Sequence, residues 1–188
     1  MRFLLNISLL LFFILPVAAL AQTDKYGKTD TVYADVEKVN ENTWKVSISI
    51  VNDEYIAGIS VPLKLSAGMV KIVGDSAVYR GGRVEHFAFK AFRADTAIQC
   101  VTMGMLANMG PTNHTLAPGS GRLLTVYVSS FDKKPFEKLI VDTATTQPSN
   151  SLMAIADYIQ WNDPPDTLPL NERKNAEIIP VFVIREPK

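Results

Sequence analysis

The chain has 188 residues and balances 19 Lys and Arg against 19 Asp and Glu. That balance leaves no basic field to attract nucleic acid or an anionic membrane surface. Cys100 is the only cysteine, so no internal disulfide framework exists, and its neighbours Ile98 and Val101 point to a thiol buried as a small hydrophobe.

Met1-Arg2 precedes an almost unbroken apolar run to Leu15, then Pro16 and the small-x-small sequence Ala19-Leu20-Ala21. This predicts a secretory signal peptide over residues 1–21, cut before Gln22, and export to the periplasm or beyond. No later stretch reaches membrane-span length. Residues 22–30 are polar and read as a flexible leader, residues 31–185 as one domain, and 186–188 as a tail.

Residues 31–39 alternate Val32, Ala34 and Val36 against Tyr33, Asp35 and Glu37, the period of a half-buried strand. After the turn residues Asn40-Glu41-Asn42, Trp44, Val46, Ile48 and Ile50 share one side of a second strand. Beyond Asn52-Asp53-Glu54, Ile59, Val61, Leu63 and Leu65 share one side of a third. Short connections predict that these three pair in sequence as an antiparallel meander. Pro62 cannot donate to a ladder, so the third strand is expected to be bulged or at an edge, or to bend there and pass between sheets.

Residues 69–73 form a short apolar run, with a turn expected at Gly74-Asp75-Ser76. Gly81-Gly82 predicts a hairpin between strands at 77–79 and 83–92. A strand over 97–106 is apolar on both faces, which places it near the middle of the domain. Residues 107–121 are rich in Gly, Pro and Asn and form a long loop. Strands follow at 121–129, 138–143, within 149–162 and at 178–185, with a Pro-rich surface loop at 164–169. About nine short strands with turns every 8–12 residues predict an all-β antiparallel sandwich.

Few constellations carry chemistry. His86 and His114 have no partners at zinc-ligand spacing. Gly119-Ser120-Gly121 lacks the full nucleophile-elbow pattern and reads as the approach to a strand. Glu37, Asp75 and Glu85 are conceivable glycosidase carboxylates only if the fold brings two together across a cleft. Asp53-Glu54, and Asn162-Asp163 with Asp166, offer oxygen to a structural calcium without matching an EF-hand. Four aromatics, Phe87, Phe89, Tyr158 and Trp161, are the candidate binding residues, through a stacking platform of exposed rings. Core packing is the competing fate for the Phe pair, which shares one face of the expected strand at i and i+2.

The order of three segments resembles a known family. V-S-I-S-I-V-N-D-E-Y-I-A-G-I-S-V-P-L-K-L comes first, then V-K-I-V-G-D-S-A-V-Y-R-G-G-R-V, then A-P-G-S-G-R-L-L-T-V-Y-V-S. Together they resemble cohesin-like domains of secreted bacterial proteins, over roughly residues 32–184. The resemblance implies a nine-stranded jelly-roll sandwich, akin to some carbohydrate-binding modules. It also implies non-catalytic recognition of a dockerin-bearing partner linked to polysaccharide-degrading assemblies. A single copy without dockerin repeats departs from a multi-cohesin scaffold. The alternatives to weigh are a carbohydrate-binding module holding polysaccharide through exposed rings and a structural protein of the envelope.

Overall fold

The computed structural model describes residues 27–107, 114–145, 150–157 and 177–185. They form eleven strands in two layers: β1 (Thr31–Asn40), β2 (Thr43–Asn52), β3 (Ile56–Ser66), β4 (Ile72–Val78), β5 (Phe89–Asp95), β6 (Cys100–Leu106), β7 (Gly119–Ser130), β8 (Ile140–Thr143), β9 (Met153–Ala156), β10 (Glu177–Ile178) and β11 (Val181–Arg185). A five-stranded sheet runs β11-β1-β2-β7-β4, and a six-stranded sheet runs β10-β9-β3-β6-β5 with β8 also on β3. Among the described residues no helix is long and apolar enough to cross a membrane.

The core is the interior between these layers. Val46, Ile48 and Ile50 of β2 and Leu124, Val126 and Val128 of β7 are fully buried, facing Val61 and Leu63 of β3 and Met103 and Met105 of β6. The alternate residues of β2, Lys45, Ser47 and Ser49, face outward and remain partly exposed. Apolar side chains at every second position leave water only by stacking two such faces, which is why the alternation produces a sandwich.

Three expectations need correction. First, β2 and β3 are not ladder neighbours: β2 pairs β1 and β7, while β3 pairs β6, β8 and β9. The Asn52-Asp53-Glu54 turn carries the chain from one layer to the other. Second, β4 is a strand across the expected turn, with a register shift between Gly74 and Ser76 that absorbs Asp75. Third, Gly81-Gly82 does not close a hairpin. β4 lies in the five-stranded sheet and β5 in the six-stranded one, so the segment between them crosses layers. Gly82 is needed there for space, because a Cβ would overlap the Leu123 carbonyl.

Pro62 keeps β3 in one sheet. Its carbonyl accepts from Ala144 N at 3.2 Å, on the side where β9 stops pairing at Ser60 and β8 starts at Leu63. In an antiparallel ladder a residue's N–H and C=O point the same way. The missing donor therefore faces a gap between two partners, and the β6 ladder on the other side is intact. The proline at which the chain does change sheets is Pro180. It divides the expected terminal strand into β10, on β9, and β11, which lies parallel to β1.

Gln99 stitches the layers at their β4–β6 margin. Its side chain donates to Ile72 O and accepts from Ile72 N, both at 3.2 Å, and its own φ is +55°.

Candidate functional site

The outer face of the six-stranded sheet is built in rows. Phe89, Leu106, Gly58 and Ile155 lie side by side across β5, β6, β3 and β9, and the next row is Ala91, Gly104, Ser60 and Met153. A Cβ on Gly58 would stand 2.7 Å from Leu106 Cδ2 and 3.4 Å from Ile155 Cδ1, so these two side chains close over the glycine. Gly104 has open space instead, at the floor of a depression of about 230 Å³ lined by Ala91, Arg93, Thr102 and Cys100 among others. Farther along the strands the face becomes charged, with Asp95, Cys100, Lys64 and Asp142 in one row. Phe89 is 56% exposed and Leu106 38%. An exposed phenyl ring and leucine beside a glycine-floored depression and a charged margin have the anatomy of a protein-recognition patch: an apolar centre and a polar rim.

The outer face of the five-stranded sheet is different. Its ion pairs are made within the face, Glu37 with Lys45 at 2.9 Å and Asp35 with Arg185, whose guanidinium also lies 4.5 Å above the Tyr33 ring. Hydroxyls of Ser47 and Thr125 meet at 3.4 Å. The polar groups of this face largely satisfy one another.

One end of the sandwich holds a polar cluster. Carboxylate oxygens of Asp30, Asp53 and Glu54 lie within 4.8 Å of one another, and Asp30 and Glu54 are buried. Arg83 closes this end. Its guanidinium donates to Asn52 Oδ1 at 2.8 Å, to Gly119 O at 3.1 Å and to Ala117 O. The Asn52 amide in turn donates to Glu54 O at 2.7 Å and Ala117 O at 3.2 Å. Gly119 and Gly121, with φ of +143° and +149°, make the bed on which the Arg83 side chain lies. Burial pulls the Arg83 pKa down and the field of Asp30 pushes it back up. Three carboxyl groups of which two are sealed from water are the residues that could hold a hard divalent cation through oxygen.

The sequence-derived candidates divide. Phe87 is a correction: it precedes β5 rather than sharing its face with Phe89, and at 1% exposure it belongs to the core with His86 edge-on at 5.2 Å. Phe89 stays exposed. Tyr158 and Trp161, like Asn162, Asp163 and Asp166, lie outside the described residues. Glu37 and Asp75 do not come together as a catalytic pair. Glu37 on β1 and Asp75 on β4 are three strand spacings apart, about 14 Å, beyond the roughly 5–9.5 Å that glycoside hydrolysis uses. Glu85 instead accepts from Gly81 N at 2.7 Å, and Asp75 from Ser129 Oγ at 2.9 Å. Cys100 is a buried free thiol. Sequence reasoning missed Asp30, placed in the leader, and Arg83, whose role depends on residues 31 to 36 positions away.

No family model matches the sequence, and no curated protein matches it either. Solved structures do. The OlpA cohesin from a type I cohesin–dockerin complex of Clostridium thermocellum superposes with a TM-score of 0.56 at 11% identity, covering 85% of this chain and 100% of that one. The OlpC cohesin from another such complex of the same organism gives 0.56 at 9% identity, covering 88% and 99%. The sixth cohesin of Acetivibrio cellulolyticus scaffoldin B, solved with a dockerin, gives 0.56 at 8% identity, covering 85% and 100%. At such identities the likeness is one of fold: this chain is a two-layer, all-β jelly roll of the cohesin-like kind.

Proposed function

We propose that the protein is an exported, non-catalytic recognition module that holds a dockerin-type protein partner on the outer face of its six-stranded sheet and so serves a polysaccharide-degrading assembly. The observation that carries this reading is the row Phe89, Leu106, Gly58, Ile155 beside the Gly104 depression, an apolar centre that gives way to a charged margin along the same face. The similar solved structures are cohesins, several of them captured with dockerins.

The test is a column of immobilised protein exposed to the source organism's secreted proteins, with retained species identified by mass spectrometry. A dockerin-bearing protein should bind wild type, and a Phe89→Glu, Leu106→Glu variant should weaken binding by about 2 kcal/mol or more, some 30-fold. Retention of no dockerin-bearing protein, or equal retention by the variant, refutes the proposal. A glycan array on the same protein distinguishes polysaccharide recognition.

A structural calcium held by Asp30, Asp53 and Glu54 is a second proposal, supported by the convergence of their oxygens within 4.8 Å. Calcium at 100 times its Kd would add about 2.7 kcal/mol to stability. The melting temperature should rise with calcium over EDTA, and Asp53→Asn should abolish the rise. Equal melting in both buffers removes the proposal.

A further inference from the structure

The outer face of the six-stranded sheet holds a socket with a chemistry of its own. Gly104 faces outward from β6, and a Cβ there would meet no neighbouring atom within 4 Å. Ala91 stands beside it on β5 and Ser60 on β3, so a row of small residues floors the depression. In the next row along the same two strands, Arg93 of β5 stands opposite Thr102 of β6. The volume, about 230 Å³, is below the roughly 300–1,000 Å³ of small-molecule sites and suits one inserted side chain. Phe89 and Leu106 lie one row away on the other side, so a side chain entering the socket belongs to a partner that also covers them.

The charged groups around the socket differ in their commitments. Lys64 Nζ donates to Ile98 O, and Lys90 Nζ donates to Glu85 O at 2.8 Å and to Phe87 O. Asp95 Oδ1 accepts from Ala97 N at 3.0 Å and Ile98 N at 3.3 Å, which ties that carboxylate to the β5–β6 turn. Asp142 Oδ1 accepts from Thr143 N at 2.7 Å. Arg93 is exposed and makes no ion pair or side-chain hydrogen bond among the described residues. Of these three cations it is the uncommitted one, and it carries five N–H donors in a planar fork.

These features select among occupants. An apolar side chain would fill the socket but strip water from the guanidinium without replacing it. A lysine or arginine would meet like charge. A neutral amide would accept from the fork and leave the charge unbalanced. A carboxylate matches both the fork and the charge. We propose that the Gly104 depression receives an aspartate or glutamate side chain of the docked partner, paired with Arg93, while the flanking part of that partner covers Phe89 and Leu106. The acidic anchor rests on the recognition role proposed above for this face and adds to it the charge of the side chain that docks.

A random-peptide phage library is panned on the immobilised full-length chain after binders to Gly104→Leu have been removed. The leucine fills the depression and, with open space around its Cβ, should leave the melting temperature unchanged. Enriched peptides should carry Asp or Glu next to apolar residues. A synthetic copy of the commonest should bind Arg93→Glu at least about tenfold more weakly than wild type, and exchanging its acid for lysine should reverse that order. No enrichment, peptides without an acid, or equal affinity for wild type and Arg93→Glu overturns the acidic anchor. The dockerin column tests the recognition role separately. A dockerin-bearing protein held equally by wild type, Arg93→Glu and Gly104→Leu removes the anchor and leaves the role. Acidic peptides selected where no dockerin-bearing protein is retained remove the role and leave the anchor.

Discussion

Replacing Arg83 by methionine keeps the stem that lies on Gly121 and removes the guanidinium that lies over Gly119. Asn52 Oδ1 and Gly119 O then lose the guanidinium, and Ala117 O keeps only the Asn52 amide. Buried Asp30 also loses the cation whose field reaches it. Hydrogen bonds to a charged group are worth roughly 1.5–3 kcal/mol each, but these share one half-exposed cation and do not sum. Arg83 makes no ion pair among the described residues, so the loss of one such bond, about 2 kcal/mol, is the appropriate magnitude. At about 2–4 °C per kcal/mol for a chain of this size, the melting midpoint should fall by about 4–8 °C. Thermal unfolding followed by tryptophan fluorescence measures it. Arg122→Met is the control: Arg122 donates at 3.3 Å to Thr125 Oγ1 and 3.1 Å to Arg80 O, and its loss should cost less than about 1 kcal/mol. Asp30→Asn placed on Arg83→Met should recover about 1 kcal/mol or more through their coupling. Equal losses for Arg83→Met and Arg122→Met, or strict additivity of Arg83→Met and Asp30→Asn, would refute the reasoning.

Gly82→Ala should destabilise the fold by about 2 kcal/mol or more, because the new Cβ overlaps the backbone carbonyl of Leu123 on a strand paired on both sides. Gly81→Ala meets only the mobile end of Arg122 and pays for its φ of +68°, about 1 kcal/mol; thermal melts that reverse this ranking contradict the model. Tyr79 gives an alkaline prediction. Its hydroxyl donates to Ala91 O at 3.0 Å, and burial raises its pKa above the ordinary 10.0. The fold thus favours the neutral phenol: this stabilisation is full below the unfolded value and disappears as pH climbs through the folded one. Tyr79→Phe should lose about 1 kcal/mol at neutral pH and show a shallower decline above about pH 10, so parallel urea midpoints for the two proteins across that window exclude the effect.

The layered architecture was legible because it is local. Alternation in residues 44–50 and 59–65 names the inward side chains without any knowledge of partners, and those residues are buried as expected. Pairing was not legible, because Asn52-Asp53-Glu54 and Gly81-Gly82 suit a layer crossing as well as a hairpin. Turn chemistry sets where the backbone can bend, whereas the destination of the next strand is decided by which apolar face it must cover. The idea of a proline at a sheet change was correct in kind but attached to Pro62 instead of Pro180. Of the candidate aromatics, Phe89 was separable from Phe87 only by tertiary structure, since two phenylalanines two residues apart look equivalent until the strand is seen to begin between them. Asp30 and Arg83 gave no signal, because a buried carboxylate and a committed arginine look like ordinary surface charge until their distant neighbours assemble.

The side-by-side placement of β1 and β11 has a mechanical consequence. The two strands run parallel from Thr31↔Val181 to Asp35↔Arg185. Tension applied before Thr31 and after Arg185 pulls them past each other along their length. The bonds between them must then slide and fail together, whereas a hairpin held at its open end peels one rung at a time. A module tethered at both ends would meet load in its most resistant direction, and its lifetime under force would be set by that short shear contact.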